Sequence, residues 1–193
     1  MQHAMKHDSP PAPAQESHQR LMLVTGMLGA GKTTALRVLE DLGWEIVDNF
    51  PVRLLDRLMD TPQAAPRDLR GPLAIGFDSR TRGFDPESII RKVKDLGQRP
   101  DLEVTTLFLD CASNELERRY NETRRRHPLA GDTPVSAGIR AERELLAPLR
   151  RWAHILIDTS EFTTNDLQRA MRDRFANDDA QQLTLTVSSF GFS

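Results

Sequence analysis

The sequence has little cysteine, few aromatic residues and no excess of charge of either sign. Its single cysteine, Cys111, excludes an internal disulfide. Cys111 follows an apolar, strand-like run and reads as a small buried residue rather than a nucleophile, and a reducing cytoplasm suits it. With 26 basic and 28 acidic residues the formal net charge is −2, so the basic excess of a dedicated nucleic-acid binder is missing. No apolar run has the length needed to cross a membrane. Tyr120 and Trp152 read as packing residues rather than base-stacking platforms. No metal-ligand cluster, no Ser/His/Asp set in motif context and no guanine-reading N-K-x-D string is present.

What is present is ordinary for one folded domain. The chain has 193 residues, 38% hydrophobic and 28% charged, enough for one α/β core and short for two. Residues 1–20 carry three of the five histidines, with Pro10, Pro11 and Pro13. They lack the apolar h-region of a secretory signal and are expected to form a disordered tail, leaving residues 21–193 as the folded domain.

Short apolar runs then alternate with helical patterns. Strands are expected at residues 21–25, 44–47, 73–77, 104–109 and 155–157, with a last one at 183–187. Helices are expected from Ala35 to a stop at Gly43, then at 52–59, 86–96, 113–125, 136–150 and 165–175. Asp85 caps the 86–96 helix ahead of Pro86, and Pro148 should break the 136–150 helix. Residues 61–70 and 127–135 read as loops. The alternation predicts a parallel sheet with helices on both faces.

The strongest motif is Gly26-Met27-Leu28-Gly29-Ala30-Gly31-Lys32-Thr33, which fits G-x-x-x-x-G-K-[ST] between an apolar strand and an amphipathic helix. Glycines let successive amide N–H groups turn inward around anionic oxygens, and the positive end of the following helix points at the same place. Lys32 then reaches the β- and γ-phosphates of a nucleoside triphosphate, and the Thr33 hydroxyl holds Mg²⁺. The loop leaves adenine and guanine undistinguished. Mg²⁺ also needs a carboxylate at the end of a neighbouring strand. Asp48, Asp78, Asp110 and Asp158 all follow apolar runs, and Asp78 has the best run before it. Each could equally cap the next loop.

Arginines crowd one stretch. Arg118 and Arg119 read as a solvated helix face. Arg124, Arg125 and Arg126, with His127, abut the 127–135 loop and suit a lid that closes over transferring phosphates or a contact to RNA phosphate, which charge alone does not distinguish.

Further strings carry a resemblance. They include Ala35-Leu36-Arg37-Val38-Leu39-Glu40-Asp41-Leu42-Gly43, Val47-Asp48-Asn49-Phe50-Pro51 and Ile75-Gly76-Phe77-Asp78-Ser79-Arg80. The longest is Arg118-Arg119-Tyr120-Asn121-Glu122-Thr123-Arg124-Arg125-Arg126-His127-Pro128-Leu129. Glu144-Leu145-Leu146-Ala147-Pro148-Leu149-Arg150, Asp158-Thr159-Ser160 and Ser189-Phe190-Gly191-Phe192 complete the set. On these the chain resembles the RapZ/YvcJ family of bacterial nucleotide-binding proteins, whose RapZ branch includes RNase adapters. The resemblance implies ATP and GTP binding with slow hydrolysis. It assigns the P-loop and a second, guanine-nucleotide segment, Asp78, Ser79, Arg80 and Thr81; Thr81 stands where the family commonly has Asn. Family members carry a further C-terminal domain, which binds small RNA in the adapter branch, so RNA binding is not expected of these residues.

The expected protein is therefore a cytoplasmic P-loop NTPase of the α/β class, nucleoside-monophosphate-kinase-like, that binds ATP or GTP with Mg²⁺ and hydrolyses them slowly. In it Lys32 neutralises phosphate, Thr33 and Asp78 hold the metal, and Arg124 and Arg125 with Arg126 close over the γ-phosphate. A regulatory protein partner and a homo-oligomer are both compatible with the sequence. A small-molecule kinase, with Asp48 on the acceptor side, and a non-catalytic nucleotide-sensing module remain the alternatives.

Overall fold

Five parallel strands in the order β2-β3-β1-β4-β5 form the centre of the computed structural model, which describes residues 18–61 and 71–187, the side chains of 177–187 excepted. The expected tail up to residue 17, most of the 61–70 loop and the Ser189-Phe190-Gly191-Phe192 string lie outside the described residues. In chain order the elements are β1 (Gln19–Gly26), α1 (Lys32–Asp41), β2 (Glu45–Val47), a 3-10 turn (Val52–Leu54), α2 (Leu55–Asp60), β3 (Leu73–Gly76), α3 (Pro86–Gly97), β4 (Leu102–Asp110), α4 (Ser113–Thr123), α5 (Val135–Trp152), β5 (Ile155–Asp158) and α6 (Thr164–Val187).

The expected α/β fold is present. β1 and β3 are buried along almost their whole length, which is why they read as unbroken apolar runs rather than alternating ones. Steps from β1 to β2 and from β3 to β4 run in opposite directions across the sheet. Right-handed crossovers therefore put α1 and α3 on opposite faces. α1 packs with α6, while α3 and α4 pack with α5. β1 lies between β3 and β4, so the loop that leaves its C-terminal end opens at the point where strand order reverses.

Most element ends fall within three residues of expectation, α6 runs on past its expected end at 175, and four features need a physical reason. β1 begins at Gln19, inside the expected tail. α4 stops at Thr123 rather than at Arg125, because Arg124 takes a left-handed backbone with φ of 51° and ends the helix there. Pro148 does not break α5, which runs from Val135 to Trp152 around it. The proline removes one backbone donor, but Leu146 and Leu149 on either side are buried in the core and hold the helix in place. Residues 183–187 are the end of α6, not a strand. Leu183, Leu185 and Val187 alternate like a strand, but helix propagation from an existing helix adds one hydrogen bond for each residue fixed, whereas a strand needs a new partner.

Asp85 caps α3 as expected, its carboxylate accepting from the Ser88 N–H at 3.1 Å. Asp85→Ala should cost about 1 kcal/mol, read as a fall of roughly 2–4 °C in the thermal midpoint.

Candidate functional site

The turn after β1 folds as the motif predicts. Met27 N–H donates to Leu109 O at 3.0 Å, which ties the loop to β4, and Ala30 N–H closes a turn on Met27 O at 3.0 Å. Gly29 and Gly31 take positive φ. Among the described residues, the N–H groups of Gly29, Gly31, Lys32 and Thr33 have no partner. The last two belong to the first turn of α1, where a helix leaves its donors unpaired. The loop thus presents several backbone donors and a helix N-terminus to one cleft of about 480 Å³.

Two of the four strand-end carboxylates meet Lys32. Its ammonium lies 2.5 Å from Asp48 Oδ1 and 3.5 Å from Asp78 Oδ2. Asp78 is buried, and Arg80 grips both its oxygens, Nε to Oδ1 at 3.1 Å and Nη2 to Oδ2 at 2.8 Å. Burial pushes the Asp78 carboxyl up, but the Arg80 hydrogen bonds and the Lys32 charge outweigh it and hold the group below its ordinary value. Asp78 is therefore an anion. The other two aspartates are engaged elsewhere. Asp110 holds Arg143 at 2.9 Å and Arg150 at 2.7 Å, and Asp158 accepts from Ser160 N–H at 2.9 Å.

Of the segment 78–81, Asp78 and Arg80 line the cleft. Ser79 and Thr81 turn inward. Ser79 Oγ donates to Glu142 Oε1 at 2.9 Å. The buried Thr81 hydroxyl accepts from Asp78 N–H and donates to Asn49 Oδ1, both at 3.0 Å. Of the lid arginines, Arg125 and Arg126 stand on the exposed rim of the cleft. Arg124 is exposed and is not part of its wall. Arg119 departs from the solvated-face expectation. It is only 23% exposed and donates to Gly29 O at 3.0 Å and Thr159 O at 2.7 Å, bridging the P-loop to the turn after β5.

With the loop, its lysine and the Asp78 carboxylate in one cleft, the comparisons with known proteins bear on the same residues. Residues 19–179 match the RapZ-like N-terminal domain. The chain belongs to that family. A nucleotide-binding protein of Novosphingobium aromaticivorans is 65% identical over 181 residues, which cover 93% of this chain and 59% of the relative. One of Erythrobacter litoralis is 59% identical over 173 residues, covering 90% and 57%. The chain thus spans less than two thirds of the length of these relatives. Among solved structures, shikimate kinase from Acinetobacter baumannii in complex with shikimate gives a TM-score of 0.51 at 21% identity, covering 84% of this chain and 96% of the kinase. Shikimate kinase from Bacteroides thetaiotaomicron gives 0.50 at 18% identity, covering 80% and 97%. At such identities the likeness is one of fold, and it is the kinase-type P-loop fold expected from the sequence.

In this RapZ-like domain the donors suited to a hard cation are the exposed Thr33 hydroxyl and the ionised Asp78 carboxylate, both in the cleft wall. Mg²⁺ keeps several waters and takes the rest of its oxygens from phosphate, so one carboxylate and one hydroxyl are a chemically sufficient protein share. Among the described residues no group of three or more His, Cys, Asp and Glu could hold a metal without such help.

Glu142, on α5, has no signal in the sequence. It is fully buried. Both its oxygens accept from the Leu28 N–H of the P-loop at 3.2 Å, and its Oε2 meets His127 Nε2 at 3.0 Å. Burial pushes its carboxyl up, more than the His127, Ser79 and Leu28 donors pull it down. The only local hint is an acidic residue one helical turn from Ile139 and Leu146 on the buried side of α5. Cys111 is buried as expected, with its thiol pushed up by that burial.

Proposed function

We propose that this domain binds ATP or GTP with Mg²⁺ and hydrolyses them slowly, so that the bound nucleotide sets its state for a regulatory role. The observation that carries this reading is the set of unpaired loop amides in the wall of one cleft together with Lys32. A polyphosphate is the ligand for which such a cradle is built: amides without internal partners need an acceptor, and the helix dipole and ammonium need an anion. The name of the relatives, nucleotide-binding protein, agrees with it.

Lys32 exchanges Asp48 for the β- and γ-phosphates. Thr33 and Asp78 would hold the Mg²⁺, whose charge would offset the negative charge of the phosphates. Asp78 keeps its charge because Arg80 and Lys32 surround it. Arg125 and Arg126 line the cleft from its exposed side, so in this reading transition-state stabilisation draws them inward from solvent, and turnover without a partner that fixes them there is slow. The site thereby fits a nucleotide-responsive switch better than a fast hydrolase. No helix among the described residues is long and apolar enough to cross a membrane, and the reading places the domain in the cytoplasm.

Titration calorimetry with ATP and GTP, with and without Mg²⁺, tests the reading. Wild-type protein should bind saturably and more tightly with the metal. Asp78→Asn should remove most of the metal's contribution, about 10–100-fold. An equal metal effect in both proteins would reject Asp78 as the metal's carboxylate.

One observation favours a second reading. Asp48 is 43% exposed beside Lys32, where a carboxylate could orient the hydroxyl of a phosphoryl acceptor, as in a small-molecule kinase. Transfer of labelled γ-phosphate to a screened metabolite would establish it. Hydrolysis that no acceptor accelerates would reject it.

A further inference from the structure

Three segments of the chain converge on one buried carboxylate. Glu142 accepts from Leu28 N–H in the P-loop, from Ser79 Oγ next to Asp78, and meets His127, which directly follows the rim arginines Arg125 and Arg126. The sequence separation from Leu28 is 114 residues and from Ser79 it is 63. Neither His127 nor Glu142 exposes any side-chain surface. The Leu129 N–H donates to His127 Nδ1 at 3.1 Å. That nitrogen is thus an acceptor, and the ring proton belongs on Nε2, where it donates to Glu142 Oε2.

The placement also sorts the loop amides. Leu28 N–H points away from the cleft toward α5 and is used up, which leaves Gly29, Gly31, Lys32 and Thr33 to meet the ligand. A buried carboxylate is costly unless several donors satisfy it. Its position here makes the three segments dependent on one another, because each donor is left unsatisfied if the carboxylate leaves.

We propose that Glu142 is the positioning residue that holds the P-loop in its phosphate-receiving shape and, through His127, sets where the rim arginines stand relative to it. The inference rests on the nucleotide-binding reading above. Glu142 touches no ligand. It acts on affinity through Leu28, and on turnover through His127 and the arginines behind it. These two effects are separable.

Glu142→Gln keeps a carbonyl that can accept from Leu28 and Ser79. Its amide group then faces the His127 Nε2–H, donor against donor, so the arginine side of the brace is lost and the P-loop side kept. Glu142→Leu fills the space and loses both. With the full chain, ADP affinity by calorimetry should stay within about threefold of wild type in Glu142→Gln and fall about 30-fold in Glu142→Leu. ATP turnover at saturating nucleotide should fall about tenfold in Glu142→Gln. Hydrogen exchange at the Leu28 amide should be slow in wild type and Glu142→Gln and fast in Glu142→Leu. A carboxylate that only supported the fold would move melting temperatures without splitting affinity from turnover. Wild-type turnover in Glu142→Gln, or a slow Leu28 amide in Glu142→Leu, overturns the proposal. If wild type binds neither ATP nor ADP, the nucleotide reading falls, while the Leu28 exchange still decides whether the brace exists.

Discussion

Lys32→Ala is expected to abolish saturable binding of ATP and GTP while leaving the fold intact. The Lys32 side chain is 11% exposed, and its ammonium lies 2.5 Å from Asp48 and 3.5 Å from Asp78, in the same cleft wall as the loop amides. Removing it deletes an attraction to the phosphates and also leaves Asp48 and the Asp78–Arg80 pair facing them with one positive charge fewer. A charge pair about 4 Å apart near a protein surface is worth about 4 kcal/mol, which is about a thousandfold in Kd. Asp78 keeps its Arg80 partner in the variant, and the buried core around the loop is untouched, so the thermal midpoint should move little. Calorimetry with ATP and GTP in Mg²⁺ buffer measures the first effect and a melting curve the second. Unchanged affinity would remove Lys32 from the site, and with it the proposed use of the cleft.

The same residues show what a sequence can reveal about such a site. The P-loop is legible because its chemistry needs adjacent residues at fixed spacing: glycines that admit inward-turned amides, then one ammonium and one hydroxyl. The sheet is legible because β1, β3 and the C-terminal half of β4 are buried on both faces and so read as apolar runs. What decides among four similar strand-end aspartates is not local. Asp110 is claimed by Arg143 and Arg150, 33 and 40 residues later in the chain, while Asp48 and Asp78 are brought to Lys32 by strand order. Arg119 looks like any arginine on a polar helix. Only packing of α4 beneath the loop brings it to Gly29, 90 residues away. Glu142 is the extreme case, a carboxylate in an apolar stripe whose reason lies 114 residues back. Pro148 and the 183–187 run mislead for the opposite reason. Their local signals are real, but core packing in one case and continuation of an existing helix in the other outweigh them.

Gly26→Ala should differ from Lys32→Ala by losing the fold's stability as well as the site. Gly26 ends β1 at φ of 154°, and it lies in register with Leu109 of β4. A Cβ on Gly26 would stand 2.2 Å from Leu109 O, 2.8 Å from Leu109 N and 2.9 Å from Leu109 C. All three are backbone atoms of the fully buried Leu109, so no side-chain rotation relieves the overlap, and β1 must part from β4 at that point. The hydrogen bond from Met27 N–H to Leu109 O follows immediately, and it anchors the loop that carries the amides. Gly31 differs: a Cβ there meets the end of the Leu167 side chain at 2.5 Å, a group that can swing aside, although its φ of 106° still penalises a side chain. Overpacking against rigid backbone belongs at the upper end of single-substitution costs, about 3 kcal/mol or more. In a chain of this size that corresponds to a fall of roughly 6–12 °C in the thermal midpoint. Nucleotide affinity measured well below that midpoint should drop as well, because the displaced residues are the root of the phosphate cradle. A Gly26→Ala protein that melts and binds like wild type would show that β1 and β4 can separate at Leu109 without cost, and the rigid loop on which the cradle depends would have no support.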